Sequence, residues 1–284
     1  MATVAIPAPA RVSWLAGAWA WMRRNLLSVY MIVALTYLFI PVVITILFSF
    51  NDRRGKYNIV WNGFTFKWWR DMFARPEIQA ALGKSLQLAF FSALLACVLG
   101  TLVALAIARY QFKGRAATNL FIFLPMSTPE VVMGSSLLAL FLTLNLKTGF
   151  TTILIAHTLF NVSYVVVTVK ARLAGFDQHL EEAAMDLYAN ERTTFLKVTL
   201  PLILPGVFAA FLLAFALSFD DFIITNFNSG STVTFPLLVW GAARVGVPPQ
   251  VNVFGTLIFL IAVIGMLIGI RLQTRRQRRP KPAA

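Results

Sequence analysis

The sequence predicts an all-α integral membrane protein with six transmembrane helices, and three observations predict it. First, 58% of its 284 residues are hydrophobic and only 13% are charged, with a mean hydropathy of +0.75. A soluble globule is nearer half apolar and a quarter charged. Second, six stretches reach the roughly 20 apolar residues needed to cross the hydrocarbon, at about 27–50, 85–108, 118–143, 151–169, 201–219 and 251–270. Runs this long are helices, because the lone alternative in lipid, a closed barrel, uses shorter alternating strands. Third, the basic residues behind the net charge of +14 lie in short pieces flanking the apolar runs. Span anchors are distributed in this way, so the charge points to membrane lipid and not to nucleic acid.

The elements follow in order. Residues 1–26 form an Ala/Pro-rich segment with Arg11, Arg23 and Arg24, and the apolar run that follows, Asn25 to Asn51, exceeds the roughly 7–15 residue core of a cleaved signal peptide. It reads as a retained span. In the first connection Asn62-Gly63 is a turn signal, and Thr65 an N-cap for a short helix containing Trp68 and Trp69. A helix on the outer membrane surface explains the Trp pair as part of the aromatic belt; a substrate-gripping aromatic site is the alternative. The second span carries the sole cysteine, Cys97, which excludes a disulfide framework and a Cys-based metal site. In the third, Pro125 and Pro129 predict a break or bend just before Glu130. The fourth carries His157. The fifth opens on Pro201 and Pro205, tolerated in a first helical turn, and ends at Asp220 and Asp221 on the outer side. After the sixth, residues 271–284 are a basic tail with Arg271, Arg275, Arg276, Arg278, Arg279 and Lys281. That tail, with Arg109, Lys113, Arg115, Lys170, Arg172, Arg192 and Lys197, places both termini in the cytoplasm. Arg53, Arg54, Lys56, Lys67, Arg70, Arg75 and Lys84 in the first connection run against this assignment.

Between the fourth and fifth spans lies a charged segment, 180–200. Leu180, Ala183, Ala184, Leu187 and Tyr188 recur at i, i+3, i+4, i+7 and i+8, one stripe of a helix. Glu182 and Asp186 fall opposite, four residues apart, where like charges cost a few tenths of a kcal/mol and favour a cationic partner. Asn190 is an N-cap for a second short helix with Glu191 in its first turn, where the helix dipole favours an acid. A helix–turn–helix continuous with a span is built like a lever.

Here a resemblance enters. Glu182-Ala183-Ala184, position 188 and Val198-Thr199-Leu200-Pro201 are spaced as in the EAA motif of ABC-importer permease subunits. Met126-Ser127-Thr128-Pro129-Glu130-Val131-Val132, Leu217-Ser218-Phe219-Asp220-Asp221-Phe222 and Val245-Gly246-Val247-Pro248-Pro249-Gln250-Val251-Asn252 are similar to the second permease of spermidine/putrescine importers, the PotC/PotI-like family. The resemblance implies a type I ABC-importer permease fold over residues 27–270, in a prokaryotic plasma membrane, whose cytoplasmic coupling helix docks into a cleft of a separate ATPase. It implies coupling roles for Glu182, Ala183, Ala184, Asp186, Leu187, Tyr188, Ala189, Leu200 and Pro201. As partners it implies a sister permease, two ATPase subunits and an extracytoplasmic polyamine-binding protein. The chain departs from the motif at Tyr188, usually Gly, and at Val198, commonly Ile. A left-handed turn costs a residue with a β-carbon roughly 1–2 kcal/mol, so the turn is expected to differ here, with Asn190 as its alternative pivot.

Hydrolytic chemistry is not expected of this chain. A P-loop needs a Gly five residues before its Gly-Lys-Ser, and Ile78 holds that place ahead of Gly83-Lys84-Ser85. If transport is ATP-driven, hydrolysis must come from another chain, and the resemblance implies ATP and Mg on partner ATPase subunits, with no cofactor or metal bound by this one; no residue is assigned a catalytic role. His157 and His179 do not form a spaced metal or nucleophile pair. Carboxylates near or within spans are costly and mark pathways. Glu130, Asp220 and Asp221 are the candidates to line a polycation's path. The alternatives are an internal base paired with Glu130 and ordinary hydration of the aspartates at a span end. Rival readings are a permease for another small solute and an ion-coupled secondary transporter; an intramembrane enzyme would need a catalytic cluster that the sequence does not supply.

Overall fold

A computed structural model describes residues 14–177 and 179–277; Arg11, Arg278, Arg279 and Lys281, with the rest of the outermost N-terminal and tail positions, lie outside the described residues. The helices are α1 (Trp14–Ser49), α2 (Lys67–Arg70), α3 (Pro76–Arg109), α4 (Arg115–Ser127), α5 (Glu130–Thr143), α6 (Phe150–Leu173), α7 (His179–Asp186) and α8 (Glu191–Thr194). A π-turn, Phe195–Thr199, leads into α9 (Leu200–Asp220), followed by α10 (Ile223–Asn228), α11 (Phe235–Val245) and α12 (Pro249–Gln277). Among the described residues five helices are long and apolar enough to span a membrane, and six spans result when the bent pair α4–α5 counts as one. The chain divides into two compact units, Phe73–Val247 and the remainder, Met1–Met72 with Pro248–Ala284.

In the flanking unit α1 pairs with α12, and the Phe39 and Phe259 rings meet edge-on at 6.5 Å. The chain leaving α1 is tied by Asn51, which is fully buried. Its amide donates to Asn58 Oδ1 and the Val60 carbonyl, both at 2.7 Å, and its Oδ1 accepts from the Asn62 N–H at 2.8 Å. The two tryptophans of α2 turn their indole N–H groups inward, Trp68 to the Asn51 carbonyl at 2.8 Å and Trp69 to Ser49 Oγ at 3.3 Å. The expected N-cap shifts by one residue: Phe66 holds the cap position without a side-chain bond, and Thr65, just ahead of it, accepts the Lys67 N–H on its Oγ1 at 3.1 Å as a local turn contact. These bonds give the Trp pair a structural role in pinning α2 to the end of α1.

The central unit is built on α3, α6 and α9. Ala89, Ala93, Ala96, Gly100 and Ala104 line one face of α3 at three- and four-residue spacing, which lets backbones approach closely where hydrophobic burial alone drives little. A Cβ at Gly100 would stand 2.6 Å from Val165 Cγ1 of α6. Cys97 lies in this packed core.

The third span is broken. α4 and α5 meet at 107°, and the break falls at Thr128-Pro129. Thr128 is extended with ψ 131°, the region a following proline imposes, and Pro129 forms the cap of α5. Pro125 stays inside α4, so the second proline makes the corner. α5 then lies against α10, where a Cβ on Gly134 would be 2.8 Å from the Phe227 ring.

Candidate functional site

The predicted site residues gather in two places: an elbow ahead of α9, and the corner where α9 ends. In the elbow Asn190 caps α8 as expected, its Oδ1 accepting from the Thr193 N–H at 2.8 Å. The turn before it differs from the expectation. Tyr188 itself takes the left-handed conformation, φ +64°, while Asn190 is extended. Two bonds close the end of α7: Ala189 N–H to the Ala184 carbonyl at 3.1 Å and Tyr188 N–H to the Met185 carbonyl at 2.9 Å. This is a Schellman closure with tyrosine where glycine is usual. The closure holds the strained residue in place.

The stripe that began at Leu180 leads outward. Leu187 is 81% and Tyr188 98% exposed, so the elbow presents an apolar tip that its own bundle does not cover. Glu182 finds a partner on its own helix: His179 Nδ1 lies 2.9 Å from Glu182 Oε2. That hydrogen bond, aided by the charges of Asp177 and Glu182, raises the His179 pKa above its ordinary value near 6.5. Asp186 stays exposed.

The π-turn has a chemical cause. Pro201 has no N–H for the Lys197 carbonyl and its ring crowds that carbonyl, so the helix widens there and Leu200 N–H reaches back to Phe195. Its last residue, Thr199, is fully buried. The Thr199 hydroxyl donates to Glu181 Oε1, which also receives Arg109 from the end of α3. Sequence reasoning missed Glu181, since its partners lie 72 and 18 residues away.

At the other end, Asp220 and Asp221 part company. Asp221 is turned inward, its side chain 6% exposed. Its Oδ2 accepts from Thr225 N–H at 2.7 Å and Thr225 Oγ1 at 2.8 Å, starting α10, and lies 3.1 Å from His157 Nε2. Because the Thr225 hydroxyl proton goes to Asp221, Nε2 of His157 is the donor toward both. Nδ1 lies 2.7 Å from Ser218 Oγ, which receives Ser92 Oγ–H at 2.9 Å; in the neutral ring Nδ1 accepts the Ser218 proton. A directed chain thus runs from α3 through α9 and α6 to the corner: Ser92, Ser218, His157, Asp221. The reading of Asp221 as hydrated at a span end is corrected, because it is a buried acceptor, and His157 is its partner.

Asp220 remains exposed. It stands on the rim of a cavity of about 430 Å³ formed with Phe219, Phe222, Phe235, Val239 and Trp240. Glu130 is exposed on the first turn of α5, where the helix dipole favours a carboxylate, and lies close enough to Asp220 and Asp221 to feel their charge. No basic side chain pairs with Glu130 among the described residues. The three candidate acids are brought together from two elements. They do not form a metal-holding group among the described residues.

A bent third span, a bundle of small-residue contacts and an exposed elbow define a polytopic helical membrane protein. Residues 96–281 match the family described as "Binding-protein-dependent transport system inner membrane component", and the chain belongs to that family. It is a multi-pass membrane protein with the type I fold of ABC-importer permeases, a class that is not enzymatic. The spermidine/putrescine transport system permease protein PotC of Haemophilus influenzae is 38% identical over 255 residues, 89% of this chain and 98% of PotC. The putrescine transport system permease protein PotI of Escherichia coli is 36% identical over 248 residues, 84% of this chain and 88% of PotI. A bacterial ABC transporter involved in import of the acidic polysaccharide alginate shares the fold, with a TM-score of 0.64 at 14% identity over 92% of this chain and 99% of that one.

Proposed function

We propose that this chain is a permease subunit of an ATP-driven polyamine importer. It would form the translocation path with a sister permease, be coupled to two ATPase subunits that bind ATP and Mg, and receive cargo from an extracytoplasmic binding protein. The observation that carries the reading is the elbow, an exposed tip at Leu187 and Tyr188 continuous through the π-turn with α9. Residues 182–189 of the tip meet the ATPase, and Leu200 and Pro201 pass its movement into α9. Both termini and the elbow lie on the cytoplasmic side of a prokaryotic plasma membrane, with residues 27–270 as the permease body and 271–284 as a basic tail on anionic lipid.

Polyamine as cargo is supported by the names of the two relatives and by the acids at the corner. A polycation crossing a water-poor path needs fixed negative charge that no internal base has already neutralised. Glu130 and Asp220 meet that description; Asp221 contributes its charge from behind them. ATP binding draws the ATPases together, the elbows of both permeases follow, and the path alternates between outward and inward access. The test is uptake of labelled spermidine and putrescine by the complex in proteoliposomes, at saturating binding protein. Glu130→Gln and Asp220→Asn each lower uptake while the assembly persists. Undiminished uptake in both variants would overturn the path assignment, and uptake by the chain without ATPase subunits would overturn the class.

A further inference from the structure

We propose that Glu181 is a positioning residue that bolts the elbow to two helices of the central bundle at once, so that a push on the elbow moves α3 as well as α9. This rests on the coupling reading above. α7 has no buried residue of its own, so the helix offers little packing to carry a force. One oxygen, Glu181 Oε1, supplies what packing does not. It receives Arg109 Nη2 from the last turn of α3 and Thr199 Oγ1 from the end of the π-turn. The side chains are sheltered, Glu181 13% and Arg109 24% exposed, and the Arg109 guanidinium is further steadied over the Phe176 ring at 5.8 Å.

Shelter matters to the argument. An exposed ion pair is screened and holds its partners loosely, whereas a half-buried pair with a second donor is strong and leaves an uncompensated charge when one member is removed. Without Glu181 the elbow would keep its backbone continuity with α6 and α9 but lose its ion pair to the end of α3. With it, the end of α3 is held by charge. The pair also borders a cavity of about 520 Å³ whose wall includes Leu105, Tyr110, Met185 and Phe195, so it has room to move without first breaking packed core. Glu181 stands just before the Glu182-Ala183-Ala184 motif, about 100° round the helix from Glu182, and is sheltered where Glu182 is exposed.

The experiment uses the whole complex in proteoliposomes, with spermidine as cargo, and reads ATP hydrolysed per spermidine transported together with the amount of ATPase that copurifies. Glu181→Gln raises that ratio by at least about fivefold, the low end of ordinary coupling between sites, while ATPase binding is kept. Arg109→Gln does the same, and the double variant is no worse than either single one, because both remove one joint. A wild-type ratio in assembled Glu181→Gln, or additive defects in the double variant, would overturn the proposal. Should Glu181→Gln fail to assemble, Thr199→Val removes one donor at similar volume; its ratio must rise, and an unchanged ratio overturns the joint. A wild-type complex whose uptake ignores ATP would sink the coupling reading itself, a result separate from these.

Discussion

Replacing Tyr188 by glycine separates the strain of the elbow from its purpose. In the chain by itself the substitution should be nearly neutral. Tyr188 is 98% exposed, so its side chain gives up almost no burial. Its φ of +64° costs a residue with a β-carbon roughly 1–2 kcal/mol, which glycine recovers, less the roughly 0.5–1 kcal/mol that glycine loses in backbone freedom. The melting temperature of the solubilised chain therefore stays level or rises by a few degrees. Binding of the ATPase should move the other way. A large aromatic side chain held out on a strained turn has the features of an interface anchor, and truncating such an anchor costs at least about 2 kcal/mol, roughly thirtyfold in affinity. The measurement is a titration of purified ATPase subunit against the detergent-solubilised permease pair, wild type and Tyr188→Gly, beside thermal melts of the same samples. An affinity within about threefold of wild type would refute the anchor. A clear fall in melting temperature would refute the strain argument.

Three further outcomes follow from the geometry. His157→Phe keeps a ring in place but removes the donor to Asp221 and the acceptor for Ser218; each orphaned buried group costs about 1–3 kcal/mol, and chemical unfolding in detergent should show the loss. Gly100→Ala drives a Cβ against Val165 and should destabilise by roughly 1–3 kcal/mol, with Val165→Ala recovering part of it in the same melt. The His179–Glu182 bond supports α7 fully below pH 6.5, and the support fades as pH rises through the raised His179 pKa. NMR titration of the His179 ring should show that elevation, and Glu182→Gln should bring the midpoint back down.

The fold was legible because its signals are local. Twenty apolar residues in a row report a span, and a proline reports a corner, whatever lies elsewhere in the chain. Even so, the corner came from Pro129 alone, since Pro125 is tolerated in the body of α4. The elbow was legible in outline: the N-cap at Asn190 is a three-residue relation and could be read directly. The left-handed Tyr188 was not, because propensity argues for Asn190, and only the paired closing bonds from 188 and 189 decide otherwise. Contacts at long range were invisible in the same measure. Nothing near His157 announces Ser218 and Asp221, 61 and 64 residues on, and nothing near Glu181 announces Arg109.

Asp220 and Asp221 show how far a pair of identical neighbours can diverge. Successive residues at a helix end point about 100° apart, so two adjacent carboxylates at the end of α9 cannot both face one cavity and one core. The donor chain through His157 claims Asp221, and the backbone then directs Asp220 to the rim beside Phe222 and Trp240. The two asparagine variants should therefore fail in different ways. Asp221→Asn places an amide donor where the carboxylate met only donors, the His157 Nε2–H and the N–H groups of Ile224 and Thr225, and should lower stability by about 1–3 kcal/mol. Asp220→Asn, exposed and outside that chain, should shift stability by no more than about 0.5 kcal/mol. Under the proposed function it is Asp220→Asn that depresses uptake in fully folded protein. Parallel melts and uptake measurements on the two variants decide the matter: equal loss of stability in both would show that the inward and outward assignments are mistaken.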